Sequence, residues 1–215
     1  MDEVSSPDTL LKCLSAHEER IPETVTIIAA VNPYYSDLLP TLPESVLHVH
    51  LAIAYRSTNA ITSLAQFIVK AENNATSGDI PVSELGSDVE GIKPKVFDAG
   101  KDEVQFKNAL ERCHELMGNN VTLLFESRLP GSMDDICESY GKRFGGLWEC
   151  YNVNGFYGWE ADKVVVVTCG TGSTLEEVTR VRTQLILILV ESEDEDFKYF
   201  IQIIKSTSKM QLGRG

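Results

Sequence analysis

Basic residues are scarce in this chain. Lysine and arginine number 19 against 32 aspartates and glutamates, a formal net charge of −13 at pH 7 over 215 residues. Bulk charge therefore works against holding a polyanion such as nucleic acid or an anionic membrane, and any such contact has to be local. Long apolar runs are missing too. No uncharged stretch approaches the roughly 18–20 residues of a membrane span, so no membrane partner is expected. The opening Met1-Asp2-Glu3-Val4 is acidic and lacks the basic-then-apolar order of a secretory signal. The cysteines (Cys13, Cys113, Cys137, Cys150, Cys169) are odd in number and scattered, with no C-x-x-C pair. That argues against a disulfide framework or a zinc knuckle and for a reducing compartment. An intracellular setting, cytoplasmic or nuclear, is the expectation.

Chemistry-bearing motifs are absent as well. The phosphate loop G-x-x-x-x-G-K-[ST] occurs nowhere. Gly170-Thr171-Gly172-Ser173-Thr174 lacks its lysine, and Ala99-Gly100-Lys101-Asp102 lacks its leading glycine and its Mg²⁺-binding hydroxyl. No G-x-S-x-G elbow or H-E-x-x-H helix appears. Such a chain does not read as a self-sufficient hydrolase, and no resident metal is expected.

What the chain does have is core material, with 43% hydrophobic and 24% charged residues, the balance of an ordinary globular domain. Residues 1–24 read as a helical lead-in that stops at Pro22, and residues 25–215 as one domain. Candidate strands at 25–31, 46–54, 94–99, 121–126, 148–153, 163–169 and 183–191 are short, β-branched and mostly apolar. Helical patterns fall at 60–72, 102–118, 132–144, 173–182 and 194–206, and Ser57 or Thr58 is placed to cap the first of these. The polar, Gly- and Ser-rich stretch 73–93 reads as an exposed loop. Alternating strands and helices with near-continuous apolar strands predict a three-layer α/β/α domain around a mostly parallel, doubly wound sheet.

Three segments stand out together. Tyr55-Arg56-Ser57-Thr58 follows an apolar strand and opens a helix. Gly158-Trp159-Glu160-Ala161-Asp162 precedes the strand Lys163-Val164-Val165-Val166. Thr179-Arg180-Val181-Arg182 precedes the last strand. Ligands of parallel sheets gather at the carboxyl edge, and Arg56 is expected there. An arginine so placed can supply charge to a phosphate held by a neighbouring domain.

In this order the segments resemble motifs IV, V and VI of the second RecA-like domain of superfamily 1 helicases of the UvrD and Upf1 types, over roughly residues 46–191. The resemblance implies a RecA-like fold without its P-loop. It implies that Arg56 and Arg180 act catalytically on a γ-phosphate, Arg180 as the arginine finger, while Gly158, Glu160 and Arg182 contact the nucleotide. It further implies ATP with Mg²⁺ only where an N-terminal RecA-like domain holds it, in cis or in trans, with no cofactor expected on the isolated chain, and single-stranded DNA or RNA as a further partner. Two departures are plain: Tyr157 stands where the family has Lys or Gln, and Asn154 where the UvrD type has His.

The chain is thus expected to be the C-terminal half of a helicase-like ATPase. The alternative is a stand-alone degenerate domain used for protein contact or regulation, which the Met1 start, the missing first domain and Tyr157 favour. Other residues have plainer readings. His48 and His50 alternate on one strand face without a third ligand, so packing outweighs metal binding. Cys169 reads as a small hydrophobe at a strand end. Trp148 reads as core, and Trp159 as more open, a candidate base-stacking surface. Arg180 and Arg182, two apart on a helix, would not share a face, so one of them pairs with Glu176 or Glu177 or with solvent.

Overall fold

The computed structural model describes residues 53–54, 56–76, 84–126, 129–143, 147–156, 159–170, 177–191, 193 and 195–211. All of them belong to the compact unit Ala52–Gly215. The expected lead-in helix, the strand 25–31, and His48 and His50 lie outside the described residues.

The elements follow the apolar patterning closely. In chain order they are β1 (Ile53–Ala54), α1 (Asn59–Thr76), β2 (Glu84–Leu85), β3 (Lys95–Gly100), α2 (Glu103–Met117), β4 (Val121–Phe125), α3 (Met133–Arg143), β5 (Trp148–Asn152), a 3-10 turn at Val153–Gly155, β6 (Ala161–Thr168), β7 (Val181–Val190) and α4 (Glu195–Gln211). Five strands form one wholly parallel sheet in the order β3-β7-β6-β4-β5. Its central strands are buried on both faces: all of β4, Val164–Thr168 of β6 and Leu185–Val190 of β7. Burial on both sides is why these strands show no polar alternation.

Period-two geometry sorts their side chains onto two layers. Leu123, Val165, Val167, Ile186 and Ile188 point into the core shared with Phe106, Leu110 and Cys113 of α2 and with Met133, Ile136 and Cys137 of α3. The other layer holds α1, which packs against β7 and α4. Ile61, Ile68 and Val69 of α1 are buried, as are Phe197, Phe200, Ile201 and Ile204 of α4. The expected three-layer α/β/α architecture is what the chain adopts. Trp148 is core, 2% exposed, and its indole N–H donates to Gly118 O at 2.8 Å.

Two expectations change. Residues 53–54 pair with β2 in a separate two-stranded parallel sheet and do not join the main one. Within the stretch 73–93, residues 88–93 are exposed as expected, but α1 runs on to Thr76, and after β2 the chain docks on the start of α1. There Val89 O and Glu90 O accept from the amides of Asn59 and Ala60, at 3.0 and 2.9 Å. These carbonyls take the place of the Ser57 or Thr58 cap. The Ser57 hydroxyl is used elsewhere, and the buried Thr58 Oγ1 makes no hydrogen bond.

Gly91 makes this docking feasible. Its φ is +81°, and a Cβ there would come within 2.3 Å of the Thr58 side chain. Gly91→Ala is expected to cost about 1–3 kcal/mol, lowering the melting temperature by roughly 2–10 °C. An unchanged thermal unfolding curve would show that the 84–92 segment does not clamp the helix start.

Candidate functional site

Arg56 lies in a bend between β1 and α1, and the two residues after it are tied to the beginning of β7. Ser57 Oγ donates to Val181 O at 2.5 Å, and Thr58 N donates to Arg182 O at 3.0 Å. On the other flank, β6 and β7 pair with Ala161 opposite Val181, and Ala161 N donates to Arg180 O at 3.1 Å. The side chain of Glu160, the residue before β6, reaches across this pairing to Arg182, the second residue of β7.

One carboxylate joins the three segments. Glu160 Oε1 accepts from Arg56 Nη1, and Glu160 Oε2 accepts from Arg182 Nε at 3.0 Å. The Glu160 side chain is 19% exposed, against 56% for Arg56 and 53% for Arg182. Partial burial pushes the Glu160 carboxyl up, but the hydrogen bonds and charges of Arg182 and Arg56 outweigh it, and the net direction is below the ordinary glutamate range. Two guanidiniums on one carboxylate leave a net positive charge. Their other N–H groups have no protein partner among the described residues, so the arrangement can receive an anion with several acceptor oxygens.

The cluster sits at the amino ends of β6 and β7, not at the carboxyl edge expected for Arg56. The reason is topological: Arg56 follows β1, which is outside the main sheet, and the Ser57 and Thr58 hydrogen bonds hold its loop to the start of β7. The helix expected at 173–182 is also corrected. Glu177 and Val178 are helical, Thr179 and Arg180 form a turn, and Val181 and Arg182 already belong to β7. Val181 is buried opposite Ala161, and ladder pairing there ends the helix. Arg182 pairs with Glu160, not with Glu177.

Arg180 is 7% exposed, buried beneath the edge that carries Arg182. Gly158 and Tyr157 lie outside the described residues. Arg56, Glu160 and Arg182 are thus brought together, while Arg180 is a neighbour in sequence set into the interior. The pairing of Glu160 with both arginines was not read from the sequence. Its only signal there was that each residue flanks an apolar strand.

The carboxyl edge has the opposite character. The Thr168 hydroxyl donates to Glu126 Oε1, and Cys169 Sγ–H donates to Glu126 Oε2 at 3.2 Å. Burial first, then Glu126, with Asp134 and Glu177 adding, pushes the Cys169 thiol up to about 12. Cys169 is therefore a half-buried hydrogen-bond donor, not simply a packed hydrophobe. Of the two segments that imitate a P-loop, residues 171–174 lie outside the described residues, and the other has different duties: Lys101 pairs with Glu193, and Asp102 caps α2 by accepting from Val104 N at 2.7 Å. No group of three or more metal-ligating side chains occurs among the described residues, and none of their helices is long and apolar enough to cross a membrane.

The fold defines an α/β domain with a wholly parallel five-stranded sheet, consistent with the RecA-like architecture expected. It is similar to the C-terminal domain of a possible DNA helicase from Lactobacillus plantarum WCFS1, at 14% identity and a TM-score of 0.46, over 67% of this chain and 92% of that one. No protein-family model matches the chain, and no curated protein matches it.

Two outcomes follow. Because the Glu160 carboxyl is depressed in the folded protein, its contribution is present above the ordinary glutamate pKa and is lost as pH falls through the lower folded value. In an acid titration followed by NMR, the Glu160 carboxyl should titrate below the ordinary glutamate value, and Arg182→Ala should raise it. Cys169 should resist iodoacetamide at pH 8 in the native protein, with alkylation read by mass spectrometry, since its thiolate is scarce at that pH.

Proposed function

We propose that this domain is the second half of a helicase-like ATPase, presenting Arg56 and Arg182 to the phosphates of ATP bound by a separate Walker-A-bearing domain. The observation that carries this reading is the Glu160 carboxylate, which gathers two exposed arginines from the segments resembling motifs IV and VI. Phosphate oxygens match what the arginines still offer, since guanidinium N–H groups in a fixed fork suit a tetrahedral anion. As charge builds on the transferring phosphoryl group, such preplaced donors stabilise it without reorganisation.

Within this proposal Glu160 sets the direction of both guanidiniums. Arg182, rather than the buried Arg180, is the outward arginine of the last segment. Mg²⁺ would be held on the partner domain's side, because the residues described here supply no acidic ligand set. Single-stranded nucleic acid remains part of the proposal only as a local contact, given the charge of the chain.

The second reading, a protein-contact module without catalysis, has one observation in its favour. The arginine that the helicase resemblance casts as the finger is 7% exposed. Binding of inorganic tripolyphosphate and of Mg·ATP to the 215-residue chain separates the two. The proposal expects weak saturable binding of both, reduced roughly tenfold or more by Arg56→Ala or by Arg182→Ala through loss of a charge-assisted hydrogen bond. Binding that ignores both substitutions overturns it and leaves the contact module.

A further inference from the structure

Strand β3 is one end of the main sheet. It pairs with β7 on one side and has no strand on the other among the described residues. Such an edge offers backbone N–H and C=O groups that a further strand can complete. Pro94 and Lys95 stand at its opening, and both residue types discourage indiscriminate pairing at a sheet edge. What the edge admits therefore depends on the side chains beside it.

Those side chains form a cleft of about 360 Å³ between β3 and α2, lined by Lys95, Val96, Phe97, Arg112, Glu115 and Leu116. Successive residues of a strand face opposite ways, so a cleft touched by Lys95, Val96 and Phe97 in turn reaches the strand's edge as well as its α2 side. The half-buried Phe97 and the exposed Leu116 give it apolar walls. The Arg112 guanidinium lies over the Phe97 ring, 4.9 Å from its centroid. Stacking by its face leaves its in-plane N–H groups free to donate, and neither Arg112 nor Lys95 forms an ion pair among the described residues.

The lining holds two cations against one carboxylate, Glu115, in a chain whose net charge is −13. A second copy of so acidic a chain is repelled at long range, and a phosphodiester strand calls for more cations than these two. An extended peptide matches all the features at once. It brings backbone groups for the edge, an apolar side chain for Phe97 and Leu116, and a carboxylate for Arg112 and Lys95. We propose that the cleft between β3 and α2 docks an extended acidic peptide segment of a protein partner, added to the β3 edge as a further strand. This site is separate from Arg56, Glu160 and Arg182, and it does not depend on the ATP reading.

The test pans a random octapeptide display library on the 215-residue chain. Recovered peptides should be enriched in Asp or Glu close to an apolar side chain. A synthetic peptide of the recovered sequence should bind a Lys95→Glu, Arg112→Glu double variant roughly tenfold or more weakly than the unmodified chain, and should bind less well as salt is raised. Both positions are exposed, and circular dichroism with a thermal unfolding curve checks that the variant stays folded. Leu116→Ser, which leaves every charge in place, should weaken the same peptide several-fold. Saturating peptide should also slow hydrogen exchange of the β3 amides that face away from β7. Recovered peptides without acidic enrichment, affinity indifferent to the double variant and to Leu116→Ser, or unchanged exchange of the β3 amides overturns the proposal, and so does failure to enrich any peptide. An oligothymidylate that displaces the peptide from this cleft at lower concentration than the peptide itself requires overturns it in favour of a nucleic-acid strand.

Discussion

The parallel ladder between β6 and β7 is the constraint on which the rest depends. From Ala161 opposite Val181 to Thr168 opposite Leu189, it joins two central strands of the sheet, with one register irregularity between Ala161 and Lys163. A slip of one residue would reverse which face each valine, leucine and isoleucine presents, exposing to the wrong layer a row of side chains now 0–1% exposed. Across the same pairing the Glu160 side chain reaches Arg182. A site that looks like surface electrostatics is thus held by core packing. This matters because exposed ion pairs contribute little by themselves and do not fix geometry alone.

The two edges of the sheet carry different clusters. At the carboxyl ends of β4 and β6, Glu126 takes the Thr168 and Cys169 donors, and Asp134 and Glu177 are near enough to raise the Cys169 thiol further. At the amino ends of β6 and β7, Glu160 holds Arg56 and Arg182, with the exposed Asp162 nearby in the chain. Lys163 lies near the amino end of β6. It reaches from β6 to Met117 O and Asn119 O at 3.0 and 3.3 Å, satisfying carbonyls at the end of α2 where a cation also suits the helix dipole.

The layers were legible in the sequence to a large degree, for a local reason. Runs such as Val164–Val167 and Leu185–Val190 are apolar at every position, which only a strand covered on both sides accommodates, and Asp102 and Gly118 bracket α2 with recognisable cap chemistry. The errors fell where local pattern and long-range pairing compete. Thr179-Arg180-Val181-Arg182 continues a helical pattern, but pairing with β6 draws Val181 and Arg182 into the sheet. Ser57 and Thr58 are good caps by type, yet the chain supplies carbonyls from Val89 and Glu90 in their place.

By itself, the sequence determined the layer order, the parallel sheet, the buried tryptophan at 148 and the absence of a phosphate loop, because these depend on residue type and on spacing along a few turns or strands. It also singled out Arg56, Glu160 and Arg182 one at a time. Only the tertiary structure decided that one carboxylate joins them, that they stand at the amino edge, and that Arg180 is turned inward. Those outcomes depend on the alignment of β6 with β7 and on the attachment of the Arg56 loop to Val181 and Arg182. Contacts between residues 104 and 22 positions apart leave no periodic trace in the chain that makes them.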